Sequence, residues 1–583
     1  MNRHEARHDH LKHELIWATG ACALLLLILE VVLAFDFGGP AGFIRLGDLT
    51  IAYLYLRAIK QAKLQVREHE LDPLPVSMDL WVVWIFGAFT VASILTVATT
   101  GGSLPGAAAV SALGKACIIV LALRLRARLL AREYSPTMRA VVLSPPATIA
   151  MSFLLAITAG WLLLCLPEAS ASHAPLSPLD ALFTSTSATC VTGLIVKDTP
   201  NDFSPFGLIV ILVLIQVGGL GIMTLGGLFG IARGQRVSMH QRMIVRDTLI
   251  AEDPHTIGRT LGLIALYAFS VEAAGAALLY LRWLLGGQAP LRAAWLATFH
   301  AISAFCNAGF TLFSNSLEDY SGDLAVNVIV GALIIVGGIG FPVVLDLYRY
   351  CHGKSVGRRP RLSLHTKLVL STTAYLLLLG FLGFWLLEWT NTLLSRDVAE
   401  SFYAAGFQSL TPRTAGFNTV PISALTEAMK FLLIMLMFVG ASPGSTGGGI
   451  KTCTLAVVVA LGRTMIQGGS HVHVFGRGIS EGVRHRAVAI VILFGLSVLL
   501  WTFALCVSEG GSFINVLFET VSAFATVGLS AGLTPTLTKF GRIAIIVAMY
   551  TGRVGPLTVA LAMARRRTTA ADIVYPEEPV MVG

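Results

Sequence analysis

Long apolar stretches alternate with short polar connections along most of the 583-residue chain. A helix that crosses a lipid bilayer needs about 20 consecutive, mostly apolar residues, and runs of this kind recur through the sequence. The pattern predicts twelve membrane-spanning helices. They lie near residues 15–34, 42–58, 79–99, 107–130, 147–167, 206–231, 258–284, 324–348, 365–388, 428–463, 487–507 and 541–564.

Four shorter segments of moderate hydrophobicity lie between the later predicted spans, one within each pair of spans. They are too short to cross a bilayer, and such segments are typical of re-entrant elements. They lie near residues 180–195, 294–311, 400–417 and 514–530. The pattern therefore predicts an all-α polytopic membrane protein with four re-entrant half-helices.

The composition agrees with a membrane protein, since 55% of the residues are hydrophobic, only 13% are charged and the mean hydropathy is +0.75. A soluble protein carries about 25% charged residues, so a string of soluble domains is excluded. The eight cysteines are scattered without a C-x-x-C pair, which argues against a disulfide framework. The sequence lacks zinc-protease, serine-hydrolase and P-loop motifs, so we expect neither an enzyme nor an organic cofactor.

The formal net charge is +9, and basic residues concentrate in the connections after residues 231, 348 and 463 and at 565–567. The connection at 168–180, by contrast, contains no basic residue. An excess of Lys and Arg marks cytoplasmic loops. The distribution predicts that both termini are cytoplasmic and that the half-helices enter the membrane from outside. The positive charge thus gives no reason to expect a nucleic-acid partner.

Related strings end the four half-helices: SATCVTGL at 187–194, SAFCNAGF at 303–310, SLTPRTAGF at 409–417 and SAFATVGL at 522–529. The third string is one residue longer than the others. Repeats at a regular period indicate repeated structural units. We predict four M1–P–M2 units, each a span, a half-helix and a second span, at residues 147–231, 258–348, 365–463 and 487–565.

Four such units around one axis would form a pore with the strings as its filter. A selectivity filter replaces the hydration shell of an ion with backbone carbonyls, and the required backbone angles favour glycine. The alternative is that these glycines only allow close helix packing. The candidate filter residues are Cys190, Val191, Thr192, Gly193, Cys306, Asn307, Ala308, Gly309, Thr414, Ala415, Gly416, Ala525, Thr526, Val527 and Gly528.

The strings TSATCVTGL, AFCNAGF, SLTPRTAGFNT and SAFATVGLS resemble the filter segments of the Trk/Ktr/HKT potassium-transporter superfamily, over about residues 147–565. The resemblance implies K⁺ bound at the filter carbonyls, a homodimer in the bacterial inner membrane, and a cytosolic nucleotide-binding ring of RCK type as partner. In this family a serine at the first filter glycine is associated with sodium selectivity. Glycine at Gly193 therefore favours potassium.

The run at 428–463 is too long for one straight span, and its middle reads GASPGSTGGGIKT at 440–452. Glycine and proline at this density cannot continue a helix. The string resembles the intramembrane gating loop of Ktr-type subunits, and the alternative is a helix end followed by an ordinary loop. No other predicted span contains such an interruption. The candidate gate residues are Gly440, Pro443, Gly444, Gly447, Gly448, Gly449 and Lys451.

Arg553 is predicted to lie well inside the last span, where a charged side chain is costly and marks a functional candidate. The alternative is an arginine at a helix end that snorkels to the membrane interface. The surrounding GRVGPLT string resembles the segment that carries the arginine at the pore constriction of the family. This resemblance makes Arg553 a candidate partner of the gate. Arg413 and Glu519 lie in half-helices, and we interpret them as scaffolding residues rather than ion ligands.

Residues 1–146 form a predicted N-terminal extension of four helices, and residues 566–583 a cytoplasmic tail. The alternative function is a sodium- or proton-coupled cation symporter with alternating access, a class that also uses repeats and broken helices. Sodium thus stays open as a second ion. The expected partners are lipid, a second copy of the chain and the regulatory ring, and no nucleic acid.

Overall fold

The computed structural model describes residues 145–232, 254–352, 361–469, 471–556 and 558. The predicted N-terminal helices before residue 145 and the C-terminal tail lie outside the described residues. So do 233–253 and 353–360, which carry most of two predicted basic connections.

The described chain is almost entirely helical, and its helices form four groups in chain order. The first group is α1 (Pro145–Leu164), α2 (Pro178–Thr189), the single turn α3 (Thr199–Asp202) and α4 (Pro205–Ala232). The second is α5 (Pro254–Leu285), α6 (Pro290–Phe305), α7 (Leu324–Ile339) and α8 (Phe341–His352). The third is α9 (Leu364–Glu388), α10 (Val398–Leu410), α11 (Glu427–Phe438) and α12 (Thr452–Ile466). The fourth is α13 (Glu481–Ser508), α14 (Phe513–Phe524) and α15 (Lys539–Val554).

A small antiparallel hairpin of β1 (His473–Val474) and β2 (Arg477–Gly478) lies between the third and fourth groups. His473 is opposite Gly478, and Val474 is opposite Arg477. Phe475 and Gly476 form the turn, and both have positive φ angles of 50° and 71°.

The short helices α2, α6, α10 and α14 occupy the four segments predicted as half-helices. Local sequence sets where they begin: α2 and α6 start at Pro178 and Pro290, a position where the missing proline N–H costs nothing. The hydroxyl of Ser512 accepts a hydrogen bond from the Asn515 N–H and caps α14. Most residues of these helices are buried.

The longer helices surround the short ones. Gly262–Leu285, Leu364–Glu388 and Glu481–Ser508 are long and apolar enough to cross a membrane, and only 28%, 33% and 22% of their most apolar stretches are buried. Leucine and phenylalanine side chains therefore cover their outer faces. That distribution suits helices that meet lipid, because a helix apolar all round belongs in a membrane or a large core.

Two hydrophobic clusters form the core. One joins the first and second groups around Phe299, Phe305 and Phe310. The other joins the third and fourth groups around Phe494, Phe518 and Phe524, and it includes Phe183 of α2. The two clusters meet at the non-helical strings that follow the short helices.

The span predicted over 324–348 is bent in the structure. The helix breaks at Gly340, and the axes of its two parts differ by 96°. Gly340 has a φ of 93°, and a Cβ there would lie 2.6 Å from the carbonyl oxygen of Pro443. The bend accommodates the 440–452 loop of the third group, so that loop is not the only interruption of a predicted span.

An ion pair joins the first group to the last. Arg542 in the first turn of α15 donates to the carboxylate of Asp180 in the first turn of α2, and the two side chains are 24% and 8% exposed. This contact ties the two ends of the four-group arrangement together.

Replacing Arg542 with methionine should leave the Asp180 carboxylate buried without its cation. Breaking a buried pair costs about 3–5 kcal/mol, and partial exposure of the arginine should reduce this to about 1–3 kcal/mol. Thermal unfolding of the detergent-purified protein measures the loss. Lys539→Met, at an exposed position in the same turn, is the matched control, and equal melting temperatures for the two variants would contradict the assignment.

Candidate functional site

The four strings adopt the same backbone turn at two positions. The residue two before each string glycine has a positive φ: 55° at Val191, 58° at Asn307, 69° at Thr414 and 53° at Thr526. L-residues rarely adopt this left-handed conformation, which costs of order 1–3 kcal/mol at a non-glycine residue. Its recurrence in four strings of different sequence indicates that one geometry is imposed at all four places.

The string glycines also have positive φ angles, of 92° at Gly193, 71° at Gly309, 78° at Gly416 and 94° at Gly528. They approach one another in sequence order. A Cβ at Gly193 would lie 2.5 Å from the carbonyl oxygen of Ala308, and one at Gly309 would lie 2.9 Å from the Cα of Gly416. The backbone angle and the lack of space both require glycine.

The same approach continues through the last two strings and closes on the first. A Cβ at Gly416 would lie 2.6 Å from the carbonyl oxygen of Val527, and one at Gly528 would lie 2.0 Å from that of Thr192. Gly193, Gly309, Gly416 and Gly528 therefore form a closed set of backbone contacts, which we call the glycine ring. The structure brings together all four glycines that the sequence singled out.

Backbone rather than side-chain atoms dominate this ring. The remaining candidate filter residues are buried, including the side chains of Cys190, Val191, Cys306 and Asn307. The carbonyl oxygens next to the glycines include those of Thr192, Ala308, Ala415 and Val527. Oxygen atoms are the ligands that hard cations prefer, and each short helix directs the negative end of its dipole toward its string. The arrangement can therefore bind a cation through backbone oxygen atoms.

A hydroxyl group fastens each string, a feature that the sequence reasoning missed. Ser187 donates to the carbonyl of Leu194 (2.7 Å) and accepts from the Gly193 N–H (3.1 Å). Ser303 donates to the carbonyl of Phe310 (2.7 Å), and the Gly528 N–H donates to Ser522 (3.1 Å). The signal was a serine six residues before the glycine in three of the strings.

The third string uses a different residue for this purpose. Its serine, Ser409, precedes the string glycine by seven residues rather than six, and the Ser409 hydroxyl donates to the carbonyl of Gly406 within its own helix. Thr411 instead donates to the carbonyl of Phe417, at 2.5 Å. The extra residue of this string lies between the two positions, so the hydroxyl at Thr411 is the one within reach.

The 440–452 loop contacts the strings directly. A Cβ at Gly447 would lie 2.1 Å from the hydroxyl oxygen of Thr414, and one at Gly448 would lie 2.2 Å from that of Thr526. Side chains at these two glycines would collide with the strings. Gly447 and Gly448 therefore let the loop lie against the residues that precede the glycine ring.

Backbone hydrogen bonds hold this loop in place. Within the loop, the N–H of Gly440 donates to Ile450 and that of Ala441 to Gly448, at 3.0 and 3.2 Å. At the α7–α8 bend, the N–H of Phe341 donates to the carbonyl of Gly444 at 3.1 Å. The break predicted within 428–463 is thus present, and the loop is an ordered element.

Two cationic side chains bind carbonyl groups of the loop. The Lys451 ammonium donates to the carbonyls of Gly447 and Gly448, at 2.6 and 3.4 Å. The Arg553 guanidinium donates to the carbonyl of Thr446 and, at 2.6 Å, to that of Gly218 in α4.

Beyond Gly555 the described chain is helical again at Pro556 and Thr558, and residues 559–564 of the predicted span lie outside the described residues. Arg553 lies in the last turn of α15, one position before that helix ends, and its depth within the predicted span stays a prediction. The residue is nevertheless only 3% exposed, so it does not snorkel to a surface. Arg553 does lie against the loop, as its predicted role as a partner of the gate requires.

The two charged residues assigned to scaffolding differ. Glu519 accepts hydrogen bonds from the hydroxyls of Ser530 and Thr534 and from the N–H groups of Ala531 and Leu533. It therefore fastens the loop after the fourth string, as scaffolding requires. Arg413 has no such set of partners within the described chain, where its Nε and Nη1 atoms are buried and without a hydrogen bond.

Sequence reasoning also missed a buried acid behind the second string. Glu272 of α5 is 4% exposed, and both carboxylate oxygens accept from the Gln216 amide of α4, at 3.0 and 3.1 Å. The Cys306 thiol is 3.9 Å from one of them. A single acid in an apolar span was the available signal, because such residues are costly and mark functional or structural sites.

The chain is similar in sequence to known cation transport proteins. Residues 118–569 match the TrkH family, described as a cation transport protein. The chain is 40% identical to the Ktr system potassium uptake protein B of Bacillus subtilis (strain 168), over 76% of this chain and 97% of that protein. It is also 40% identical to the protein of the same name from Vibrio alginolyticus, over 75% and 95%.

Two further matches extend the comparison. The potassium/sodium uptake protein NtpJ of Enterococcus hirae is 35% identical, over 76% of this chain and 98% of that protein. The crystal structure of the potassium transporter TrkH from Vibrio parahaemolyticus superimposes with a TM-score of 0.62, covering 84% of this chain and 98% of that one. At 18% identity, this structure supports the fold alone.

The fold and the family match define a helical, multi-pass membrane transporter. The chain belongs to the TrkH family of cation transport proteins. The resemblance found in the sequence is thereby confirmed, and so is the prediction that the chain is not an enzyme.

Glu272→Leu should destabilise the protein, because it removes the acceptor of the Gln216 amide. Leaving a buried donor unsatisfied costs about 1–3 kcal/mol. Glu272→Gln keeps an acceptor oxygen of similar shape and serves as the matched control, with a smaller loss. Thermal unfolding in detergent separates the two. A glutamine variant that loses as much stability as the leucine variant would contradict the hydrogen-bonding role.

Proposed function

We propose that this protein mediates potassium uptake across the bacterial inner membrane, with K⁺ passing through the glycine ring. The observation that carries the proposal is the closed backbone contact of Gly193, Gly309, Gly416 and Gly528 with carbonyl oxygens beside them. Rings of backbone carbonyls can replace the hydration shell of K⁺. The printed names of the relatives in Bacillus subtilis and Vibrio alginolyticus, potassium uptake protein B, support the choice of ion.

In this proposal each helix group is an M1–P–M2 unit, with the short helices entering from outside and both termini in the cytoplasm. The fifteen candidate residues of the strings form the filter, and K⁺ is the transported ion rather than a cofactor. Glycine at Gly193, together with the potassium in the relatives' names, supports selection of potassium. The name of the Enterococcus hirae relative includes sodium as well, which keeps Na⁺ as a second ion to test.

The gate in this proposal is the loop from Gly440 to Lys451, together with Arg553. The loop contacts the hydroxyls of Thr414 and Thr526 in the strings, and the cations of Lys451 and Arg553 bind its carbonyls. A positive charge next to the ion path raises the electrostatic barrier for a cation. Displacing the loop would move its backbone away from the strings. It would also move the positive charges that the loop holds beside them.

The resemblance to Ktr-type subunits supports a homodimer regulated by a cytosolic, nucleotide-binding ring of RCK type. A sodium- or proton-coupled symporter with alternating access is less well supported. That class is commonly built from inverted or two-fold repeats around a midplane site, whereas this chain has four strings with one backbone turn.

Gly528→Ala should abolish potassium uptake, because its Cβ would lie 2.0 Å from the Thr192 carbonyl oxygen. An increase of about 1.4 kcal/mol in the free-energy barrier to permeation already lowers the rate tenfold. We therefore expect uptake to fall about tenfold or more. Growth and ⁸⁶Rb⁺ uptake in a potassium-uptake-deficient bacterium provide the measurement.

Gly495→Ala is the matched control, since nothing lies within 4 Å of a Cβ at that position in α13. Membrane levels and thermal unfolding of both variants separate a defective filter from a protein that does not fold. Normal uptake by a correctly inserted Gly528→Ala variant would refute the filter assignment.

Arg553→Gln should increase potassium flux through purified protein in liposomes by several-fold, because it removes the positive charge and weakens the hold on the loop. Arg463→Gln, at an exposed position in the last turn of α12, provides the charge-matched control. If Arg553→Gln left the flux equal to that of the control variant, the residue would have no role in gating.

A further inference from the structure

A small cavity lies beside the third string, between the second and third helix groups. It is lined mainly by apolar residues of α7, by Thr373 of α9, by Ala441 of the loop and by Arg413 of the string. The centre of a water-sized sphere can move within about 20 Å³ of this cavity. A cavity above about 10–15 Å³ by this measure can hold one water-sized species.

Within the described part of the chain, Arg413 brings a positive charge without a counter-charge to this cavity. The side chain is 8% exposed, and its Nε and Nη1 atoms are buried without a hydrogen-bond partner. Among the described residues no carboxylate forms an ion pair with it. A buried charge is costly unless a counter-charge and hydrogen bonds compensate it.

The geometry of the strings does not require a cation at this position. Arg413 lies three residues before its string glycine, where the other strings have Cys190, Cys306 and Ala525. Those side chains are small, neutral and buried. The charge of Arg413 therefore needs an explanation other than the shape of the string.

A second unsatisfied polar group lines the same cavity. Thr373 is 8% exposed, and its hydroxyl oxygen is buried with no hydrogen-bond partner in the described structure. Its O–H and the N–H groups of Arg413 are all donors, and they come from α9 and from the third string. Such a set of donors suits an anion, because charge-assisted hydrogen bonds to an ionised acceptor are the strong ones.

We propose that Arg413 and Thr373 bind one monatomic halide ion, chloride under physiological conditions, in this cavity. A water molecule could accept the same hydrogen bonds but would leave the charge of Arg413 uncompensated. Bound chloride neutralises a cation next to the glycine ring and joins α9 to the third string. This proposal does not rest on the proposed potassium transport.

The test is the thermal unfolding of the full-length protein in detergent, in potassium chloride and in potassium gluconate at equal ionic strength. A ligand that binds only the folded state raises its stability in a saturable manner. We expect the melting temperature to rise with chloride and to level off, with a total shift on the order of 2–4 °C. An equal melting temperature in the two salts would overturn the proposal.

Variants then locate the effect. Arg413→Gln and Thr373→Val should each remove or sharply reduce the chloride-dependent shift, whereas Arg463→Gln should retain it in full. A full shift in Arg413→Gln would place the anion elsewhere, for instance at Arg553, and would overturn the assignment. Crystals grown in bromide give a direct readout that needs no variant. An anomalous peak should lie between the Arg413 guanidinium and the Thr373 hydroxyl, and a cavity without one would refute the site.

Discussion

The close approach of four glycine backbones is the constraint on which the rest of this structure depends. A Cβ at Gly528 would lie only 2.0 Å from the carbonyl oxygen of Thr192, so the ring tolerates no side chain. Non-helical backbone at membrane depth is stable only where its polar groups are satisfied and it is surrounded by protein. The serine and threonine hydroxyls that fasten each string meet the first condition, and the burial of the short helices meets the second.

The ring also dictates how the following helices pack. Glycines in α4, α7 and α15 lie against the end of the preceding short helix. A Cβ at Gly218 or Gly337 would lie 2.0 Å from the carbonyl oxygens of Thr189 and Phe305, and one at Gly552 would lie 1.8 Å from that of Phe524. Small residues allow such backbone contact between membrane helices. In the third group the helix ends at Phe438 instead, and the loop occupies the space beside the strings.

The sequence was sufficient to predict the four strings, their glycines and the break in the 428–463 run. These features depend on local rules, because a repeated string and a cluster of glycines have few structural uses in an apolar chain. The features it did not predict depend on contacts between distant segments. The bend at Gly340 exists because Pro443 and Gly444 lie against it. Thr411 rather than a serine fastens the longer third string, through its bond to the carbonyl of Phe417.

Two cations bind carbonyls of the loop from Gly440 to Lys451, one from within the loop and one from α15. Lys451 begins its contact from the residue before α12, and Arg553 extends from the last turn of α15 to the carbonyl of Thr446. The carbonyls that they bind belong to consecutive residues, Thr446, Gly447 and Gly448. The Lys451 contact lies within the loop and moves with it, whereas a displacement of the loop would break the Arg553 contact with Thr446 and leave only the Gly218 carbonyl as its acceptor. Since an undercompensated buried charge is costly, Arg553 must follow the loop or hold it in place.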